Sequence, residues 1–281
     1  MLKIKFWGTR GSIPVCGKKY VKYGGNTPCL EVRTDQGHLI IIDCGSGIRE
    51  MGYQLMEEGF DKGGCSAVIL LSHCHWDHIQ GMPFFRPAYV KGNRFIIYGL
   101  HSFYQTLEKS LVGQMQCPYF PSRFFEMGAE FNIREIPECK FNIGDLSITT
   151  AYMNHPDETF GFRIDYHGKS FVYASDNEHI PSAVADDKVI QFSRKTDLLI
   201  HDSQFMWDEY FGNKVGWGHS VPEVALQTAQ LSEAKKLILF HHDPSHNDQF
   251  LDNMLEYCKN LNAGYHGLEI DLARDFMEII L

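Results

Sequence analysis

The stretch Ala67-Val68-Ile69-Leu70-Leu71-Ser72-His73-Cys74-His75-Trp76-Asp77-His78 determines the fold that the sequence predicts. Apolar residues typical of a buried strand lead directly into three histidines and an aspartate. Because side chains at i and i+2 of an extended segment point the same way, His73 and His75 can bind one metal ion from one side. A helical turn at Asp77-His78 would bring those two residues to a second ion. Such nitrogen and oxygen donors suit Zn²⁺, Mn²⁺ or iron rather than a closed structural zinc site, which favours thiolates.

Composition and charge limit the classes of protein to which this chain can belong. The 281 residues are 44% hydrophobic and carry a formal net charge of −9. This size allows one large core, and the negative charge gives no general attraction to nucleic-acid phosphates. Small anionic ligands held by metal ions are still allowed. Since the sequence contains no linker-like tract and no repeat of 20–50 residues, we expect a single domain over residues 1–281.

The cysteines and the N-terminus bear on the cellular compartment. None of the 8 cysteines forms a Cys-x-x-Cys pair, and a chain of this size needs no disulfide framework, so we expect reduced thiols. Residues 1–7 alternate like a strand and contain no apolar core of a signal peptide. No apolar run approaches the ~18 residues of a membrane span. We therefore expect a soluble, cytoplasmic protein without a membrane partner.

Polar groups follow several later strands in the same way as the histidines follow residues 67–71. They are His155 after residues 146–152, Asp176 after 170–174, His201-Asp202 after 197–200, and His241-His242 after 236–239. Residues at strand ends often carry function, because a rigid sheet positions them. His219 precedes a predicted helix over residues 222–231, for which Ser220 is the expected N-cap.

Two glycine-rich loops near the N-terminus allow either turn formation or anion binding. They span residues 8–14 and 23–28, and the second contains Gly25, Asn26 and Thr27. Such loops can present backbone N–H groups to an anion, but the same residues are also ordinary turn formers. Asp43, after a predicted strand over residues 38–42, likewise has two open roles. It can cap the following helix, or it can orient a metal-ligating histidine.

The motif His73-x-His75-x-Asp77-His78, followed in order by His155, Asp176 and His241, resembles the two-metal site of the metallo-β-lactamase superfamily. The resemblance covers the whole chain and implies an α+β fold, an αββα four-layer sandwich in which helices flank two mixed β-sheets. It also implies two divalent metal ions, with Zn²⁺ favoured and Mn²⁺ or iron allowed. The implied ligands are His73, His75 and His155 for one ion and Asp77, His78 and His241 for the other, with Asp176 bridging. His241 is preferred to His242 because it directly follows the strand.

Within this superfamily the chain is similar to the phosphodiesterase branch, which includes tRNase Z and related cyclic-nucleotide phosphodiesterases. That branch carries a His-Glu-Ala-Thr stretch and a later His-Ser-Thr, and His201-Asp202-Ser203-Gln204 and Gly218-His219-Ser220-Val221 stand at the corresponding places. The resemblance implies a metal-dependent hydrolase of phosphoric diesters that uses a metal-bridged hydroxide. Asp77 would orient the hydroxide. His219, oriented by Asp202, would protonate the leaving alkoxide, although Asp202 is one methylene shorter than the glutamate it replaces.

The interval between His155 and Asp176 bears on the substrate. It contains only 20 residues, whereas tRNase Z proteins often carry a long basic arm there that clamps tRNA. We therefore expect a small anionic phosphodiester substrate, favour a cyclic nucleotide, and regard tRNA as unlikely. Gly25, Asn26 and Thr27 would contact its phosphate, and aromatic residues within 119–125 would stack on its base. A tRNase Z-type endoribonuclease without the arm, and a non-hydrolytic metal-binding or redox module, are the alternatives.

The stretch 101–128 is predicted to be an insertion that acts as a lid or as a dimer contact. It is rich in aromatic residues, has prolines at 118 and 121, and shows weak regular periodicity. Phe120, Phe124 and Phe125 are candidates either for this contact or for the core. The family resemblance implies a homodimer.

Overall fold

Two seven-stranded sheets with helices outside them form the part of the chain that the computed structural model describes, residues 1–100, 105–179 and 184–281. The strands are β1 (Leu2–Gly8), β2 (Cys29–Thr34), β3 (Leu39–Ile42), β4 (Ser66–Leu70), β5 (Arg94–Leu100), β6 (Glu130–Ile136), β7 (Lys140–Ile143), β8 (Leu146–Met153), β9 (Thr159–Tyr166), β10 (Lys169–Ala174), β11 (Leu198–Asp202), β12 (Lys236–Phe240), β13 (Glu269–Leu272) and β14 (Glu278–Ile280). The helices are α1 (Ile48–Glu57), α2 (Trp76–Ile79), α3 (Leu107–Gly113), α4 (Asp187–Phe192), α5 (Trp207–Glu209), α6 (Pro222–Leu231) and α7 (Asp248–Leu261). Short 3₁₀ segments occur at Phe60–Lys62, Met82–Phe84, Arg86–Tyr89 and Phe124–Glu126, and a π-helical turn, Tyr210–Lys214, follows α5.

Both sheets are mixed. The first has the strand order β14-β1-β2-β3-β4-β5-β6 and the second has the order β13-β12-β11-β10-β9-β8-β7. Strands β3 to β6 are parallel to one another, as are β10 to β13, and the remaining pairs are antiparallel. In sheets of this kind, ligands bind beyond the carboxyl ends of parallel strands. This topology therefore indicates a candidate site at the carboxyl ends of β3, β4, β10, β11 and β12.

The alternation of side chains in the strands produces the layers. In β4, Val68 and Leu70 face the core between the two sheets, whereas Ala67 and Ile69 face the core beneath the helices. Burial of an Ile or Leu side chain contributes about 1.5–3 kcal/mol each, which explains why a strand covered on both faces is apolar throughout.

Helices cover the outer face of each sheet. In α1, Ile48, Met51 and Leu55 recur at helical spacing and are buried against the first sheet. Helices α6 and α7 bury Ala225, Leu251 and other residues against the second sheet. The αββα sandwich predicted from the sequence is confirmed.

Helix α6 begins differently from the prediction. Its N-cap is Val221, which forms no side-chain capping bond, and Pro222 occupies the first turn. The predicted cap, Ser220, instead donates its hydroxyl hydrogen to the backbone oxygen of Asn177 at 2.5 Å. The prediction of Ser220 as the cap is therefore wrong, because a contact with a distant loop takes up the side chain.

The predicted lid or dimer contact over residues 101–128 lies partly outside the described residues, which omit 101–104. In the described remainder, Phe124 is buried in the outer core of the first sheet, whereas Tyr119 is 83% exposed and Phe125 is 70% exposed. Phe124 is thus a core residue, and the role of the exposed rings stays a prediction. No helix in the described parts of the chain has the length and apolarity that a membrane crossing requires.

Candidate metal centre

The seven predicted metal ligands lie together beyond the carboxyl ends of the strands. Their donor atoms form overlapping groups within 4.8 Å of one another: His73, His75 and His155; Asp77, His78 and His241; and His73, His78 and Asp176. Asp176 also groups with His241, Asp202 and His219, so its carboxylate lies between the two ends of the cluster. Separate strand ends, more than 160 residues apart in sequence between His78 and His241, therefore supply one continuous set of donors.

Three residues at strand ends adopt left-handed backbone conformations. Asp43, Asp176 and His241 have φ values of 60°, 54° and 65°, and each follows its strand within two residues. This conformation costs a residue other than glycine roughly 1–3 kcal/mol and tends to be retained at functional sites. The sharp local turns are therefore consistent with side chains held at a site against backbone preference.

One ring nitrogen of each histidine predicted as a ligand has a partner outside the cluster. Nδ1 of His78 donates to Asp43 Oδ2 at 2.8 Å, Nδ1 of His241 donates to Gln204 Oε1 at 3.0 Å, and Nδ1 of His155 donates to the Gly218 carbonyl at 3.1 Å. Such bonds fix the tautomer and the orientation of a ligating imidazole, and leave the lone pair of Nε2 available to bind a metal ion.

The other two histidines follow the same rule. Nε2 of His75 lies 2.7 Å from Asp157 Oδ2, and its Nδ1 faces His155 Nε2 at 3.3 Å. Nδ1 of His73 lies 3.1 Å from the Ser72 hydroxyl, and its buried Nε2 has no hydrogen-bond partner. Every predicted ligand histidine thus turns one nitrogen toward the cluster and one away from it.

Asp43 takes the second of the two roles left open by the sequence. Besides His78, it accepts hydrogen bonds from the Ser72 amide and hydroxyl and from the Tyr173 hydroxyl at 2.7 Å. The N-cap of α1 is Gly47, with no side-chain capping bond. Asp43 is therefore the fully buried carboxylate that orients His78.

The donor set fits divalent metal ions. Buried polar atoms normally have partners, so the inward-facing, unpartnered Nε2 of His73 calls for a cation or a proton. Burial lowers the pKa of His241, but the carboxylates of Asp176, Asp77 and Asp202 together outweigh it and raise that pKa to about 9. This direction shows that the carboxylates of the cluster demand nearby positive charge. Neutral imidazoles and carboxylates at such a place are ligands suited to Zn²⁺, Mn²⁺ or iron.

Asp202 and His219 form a pair beside this cluster. Nδ1 of His219 lies 2.9 Å from Asp202 Oδ2, so the shorter aspartate reaches the imidazole. Asp202 also accepts the backbone N–H groups of Ser220 at 2.9 Å and Asp176 at 3.1 Å. The pair is buried, and the His219 ring stacks on that of His241 with centroids 4.9 Å apart.

Two glycines let backbone approach the histidines closely. A Cβ atom on Gly11 would lie 2.5 Å from the His241 ring, and one on Gly218 would lie 1.9 Å from His155 Nδ1. Gly218 also has a φ of 91°, which a residue with a side chain rarely adopts. Next to Gly11, the Ser12 amide donates to Asp77 Oδ2 at 2.7 Å. The first glycine-rich loop thus presents an N–H group to an anion, which is the carboxylate of the predicted metal ligand Asp77.

The second glycine-rich loop is arranged differently. The amides of Gly25 and Asn26 donate to Asp275 Oδ2 at 3.0 Å and 3.1 Å, and the Thr27 amide donates to the Ser46 hydroxyl at 2.9 Å. These amides therefore already have acceptors within the protein. Phosphate contact by Gly25, Asn26 and Thr27 stays a prediction without support from this geometry.

His242 lies outside the cluster. Its Nε2 donates to the Ala273 carbonyl at 2.8 Å, whereas the preceding His241 faces Asp77 Oδ2 at 3.1 Å through Nε2. The structure therefore places His241, the histidine preferred from the sequence, together with the other predicted ligands.

Several residues that orient the predicted ligands carried no signal in the sequence. Gln204, Asp157 and Ser12 hold His241, His75 and Asp77. Gln204 lay within the quoted His201-Asp202-Ser203-Gln204 stretch but had no periodicity or spacing that linked it to His241. Contacts between segments so far apart leave no local signal.

Comparison with known proteins agrees with this arrangement. A family model described as "Beta-lactamase superfamily domain" matches residues 38–242, which is most of the chain. The chain belongs to the metallo-β-lactamase superfamily and is a metal-dependent hydrolase.

Individual relatives are distant but extend over the whole chain. Ribonuclease Z of Thermococcus kodakarensis is 24% identical over 331 aligned positions, which cover 98% of this chain and 94% of the relative. The crystal structure of the metallo-beta-lactamase fold protein YhfI from Bacillus subtilis superposes with a TM-score of 0.72 at 20% identity, with all of both chains covered. A diphosphatase of the PhnP family superposes with a TM-score of 0.69 at 19% identity, over 100% of this chain and 98% of the other. At these identities the solved structures establish the fold alone.

Proposed function

We propose that this chain is a phosphodiesterase that cleaves a small nucleotide diester, with a cyclic nucleotide as the favoured substrate. The observation that carries the proposal is the Asp202–His219 pair, whose atoms lie 2.9 Å apart beside the predicted metal ligands. An imidazole oriented by a carboxylate is suited to donating a proton to a leaving alkoxide. In a non-hydrolytic redox or metal-binding module, this pair would have no task.

Different residues of the chain would have different roles in hydrolysis. Two divalent ions held by the seven ligands would supply a water of lowered pKa and positive charge for the phosphate oxygens. Asp77, held by the Ser12 amide, would orient the attacking water in addition to its role as a ligand. His219 uses Nδ1 for Asp202, so its Nε2 is the atom that would deliver the proton to the leaving oxygen.

The segment between His155 and Asp176 supports a small substrate. It consists of β9, β10 and a tight turn at His167-Gly168, whose φ values of 46° and 78° suit a two-residue hairpin. The segment therefore has no room for a clamping arm. The alignment with the archaeal ribonuclease Z spans 331 positions, although this chain has 281 residues, so that relative carries insertions that this chain lacks. The net charge of −9 also disfavours a large polyanion.

A tRNase Z-type endoribonuclease is the second candidate. It is favoured by the relatives named ribonuclease Z, which align over 98% of this chain. The same cluster and the same Asp202–His219 pair would serve this reaction, so the two candidates differ in how the substrate is held rather than in the chemistry. A comparison of kcat/KM among substrates therefore separates the two candidate functions.

The test is a panel of substrates with protein whose metal content has been measured. It contains bis(p-nitrophenyl) phosphate, 2′,3′- and 3′,5′-cyclic nucleotides, and a tRNA precursor with a 3′ trailer, and His73→Ala and Asp176→Ala serve as inactive controls. We expect a higher kcat/KM for a cyclic nucleotide than for the tRNA precursor. The opposite order would establish the endoribonuclease, and full activity in either control would refute the assignment of the site.

Three finer features belong to the same proposal. Zinc is the expected metal, because imidazole and carboxylate donors suit it, and elemental analysis by mass spectrometry would identify it. A cytoplasmic location is supported by the free state of the 8 cysteines, which is typical of reducing compartments. Homodimerisation rests on the family resemblance, and light scattering tests it.

A further inference from the structure

Two tryptophans adjacent to the candidate metal centre are exposed to solvent. Trp76 stands between the ligands His75 and Asp77 and is 74% exposed, and Trp217 stands two residues before His219 and is 53% exposed. Tryptophan is on average highly buried, because its large ring gains most from leaving water. Two such rings next to the reacting groups therefore need an explanation that packing does not supply.

The backbone around Trp217 is fixed by one buried carboxylate. Glu178 accepts the Gly216 amide at 2.7 Å through Oε1 and the Gly218 amide at 2.9 Å through Oε2, and its Oε1 also accepts the Tyr210 hydroxyl at 2.6 Å. Glu178 is only 7% exposed. The amides of both residues that flank Trp217 are thus held, while its side chain is 53% exposed. A backbone held in this way fixes the starting direction of the Trp217 side chain, so less freedom is lost when a ligand binds, which is the basis of preorganised recognition.

Contacts connect the chain neighbours of the two tryptophans across one edge of the metal centre. Gly218, next to Trp217, accepts the Nδ1–H of His155, and the His155 ring lies 5.0 Å from the ring of His75, next to Trp76. The His75 side chain is 44% exposed, whereas the side chains at the other end of the cluster, such as His241, are buried. The cluster is therefore open to solvent at the edge that carries His75, the residue directly before Trp76 in the chain.

A positive charge lies at the same edge. Lys214 Nζ is 3.7 Å from the centroid of the Trp217 ring, within the range of a cation–π contact. In a chain of net charge −9, this ammonium group gives a local attraction for a phosphate. The edge thus combines flat aromatic surface with a cation beside groups suited to phosphate chemistry, and a nucleotide is a ligand that matches all of these features.

We infer that Trp217 and Trp76 determine substrate specificity by stacking on the base of the nucleotide whose phosphate lies at the metal centre. This inference rests on the proposed function. Stacking on an aromatic side chain depends on the flat face that all bases share, so the enzyme discriminates weakly among bases. It discriminates strongly against diesters and phosphates that lack an aromatic ring. The rings within residues 119–125, favoured from the sequence, have no such connection to the ligands in the described structure.

The experiment compares AMP and inorganic phosphate as ligands of the metal-loaded protein by isothermal titration calorimetry. AMP is expected to bind more tightly than phosphate to the wild type. Trp217→Ala or Trp76→Ala reduces this preference by about 5- to 150-fold in at least one of the two variants, at unchanged metal content. Trp217→Phe retains most of the preference. Tyr265→Ala, which removes a partly exposed ring whose hydroxyl donates to Gln230, serves as the matched control and leaves the preference unchanged.

Three results would overturn the inference. They are equal binding of AMP and phosphate by the wild type, a full preference for AMP in both tryptophan variants, and a loss of the preference that occurs only in a variant whose mass by light scattering is halved. The last result would assign the rings to a contact between two copies of the chain. Because the readout is binding, it is independent of turnover. A wild type that cleaves no diester but prefers AMP refutes the proposed function and leaves the stacking role intact.

Discussion

The Nε2 atoms of His78 and His241 lie 3.4 Å apart, although each ring already donates its Nδ1–H to another residue. A neutral imidazole protonated at Nδ1 has a lone pair at Nε2, so two lone pairs face each other in a buried site. The carboxylates of Asp77 and Asp176, 3.4 Å and 3.2 Å from His78 Nε2, add negative charge. Without cations or protons this arrangement is repulsive, so we expect bound metal ions to stabilise the fold.

Removal of metal should therefore destabilise the protein. We expect treatment with EDTA to lower Tm by ~5–10 °C, because ions that bind only the folded state at ~100 times Kd stabilise it by about 2.7 kcal/mol. Differential scanning calorimetry measures the shift, and Zn²⁺ should restore the original Tm. Equal Tm values before and after verified loss of metal would contradict this expectation.

The neighbouring histidines His241 and His242 should respond differently to substitution. His241→Ala removes a donor of the cluster and should lower both metal content and hydrolysis of bis(p-nitrophenyl) phosphate to background. His242→Ala removes a bond to the Ala273 carbonyl and should cost about 1–3 kcal/mol of unfolding free energy while metal content stays at the wild-type level. Elemental analysis and urea unfolding test the pair. Metal loss confined to the His242 variant would reverse the assignment.

His219→Ala should separate catalysis from metal binding. We expect kcat to fall by ~10²–10⁴-fold, the usual contribution of a positioned acid or base, with little change in metal content. The wild type and Asp202→Asn, in which the imidazole loses its carboxylate partner, provide the comparison, and the latter should lower kcat as well. If His219→Ala loses metal instead, His219 belongs to the coordination shell, which its proximity to Asp176 at 4.0 Å allows.

Asp275 should make stability depend on pH. Burial raises its pKa to about 6, and the bonds from the Asn26 and Gly25 amides offset only part of this effect. Because the folded state binds this proton more tightly than the unfolded state, the free energy of unfolding should fall as pH rises from about 4 to about 6 and change little above that. At 1.36 kcal/mol per pKa unit, the total is at most ~3 kcal/mol.

Asp275→Asn is the variant that isolates this effect. It keeps an oxygen acceptor for the loop but cannot titrate, so the difference in urea unfolding free energy between wild type and variant should change over pH 4–6 and be constant above pH 7. A difference that is constant over the whole range would show that Asp275 has an ordinary pKa.

The set of candidate metal ligands could be predicted from the sequence because each part of it is local. Period-2 alternation after an apolar strand places His73 and His75 on one side, and a turn directly afterwards redirects Asp77 and His78. The strand-then-ligand order at Asp176 and His241 is also visible without a structure, and family resemblance joined these parts into one centre. The αββα fold was implied by the same family resemblance, and the described structure confirms it.

Only the tertiary structure decided how those ligands are held. The role of Asp43, the bond from His241 to Gln204 and the carbonyl of Gly218 on His155 all depend on segments 35, 37 and 63 residues apart. The physical reason is that a buried imidazole needs a partner at its second nitrogen, and many polar residues along the chain are equally able to provide it. Which of them does so is set by the path of the backbone between the two sheets, and no local spacing in the sequence records that path.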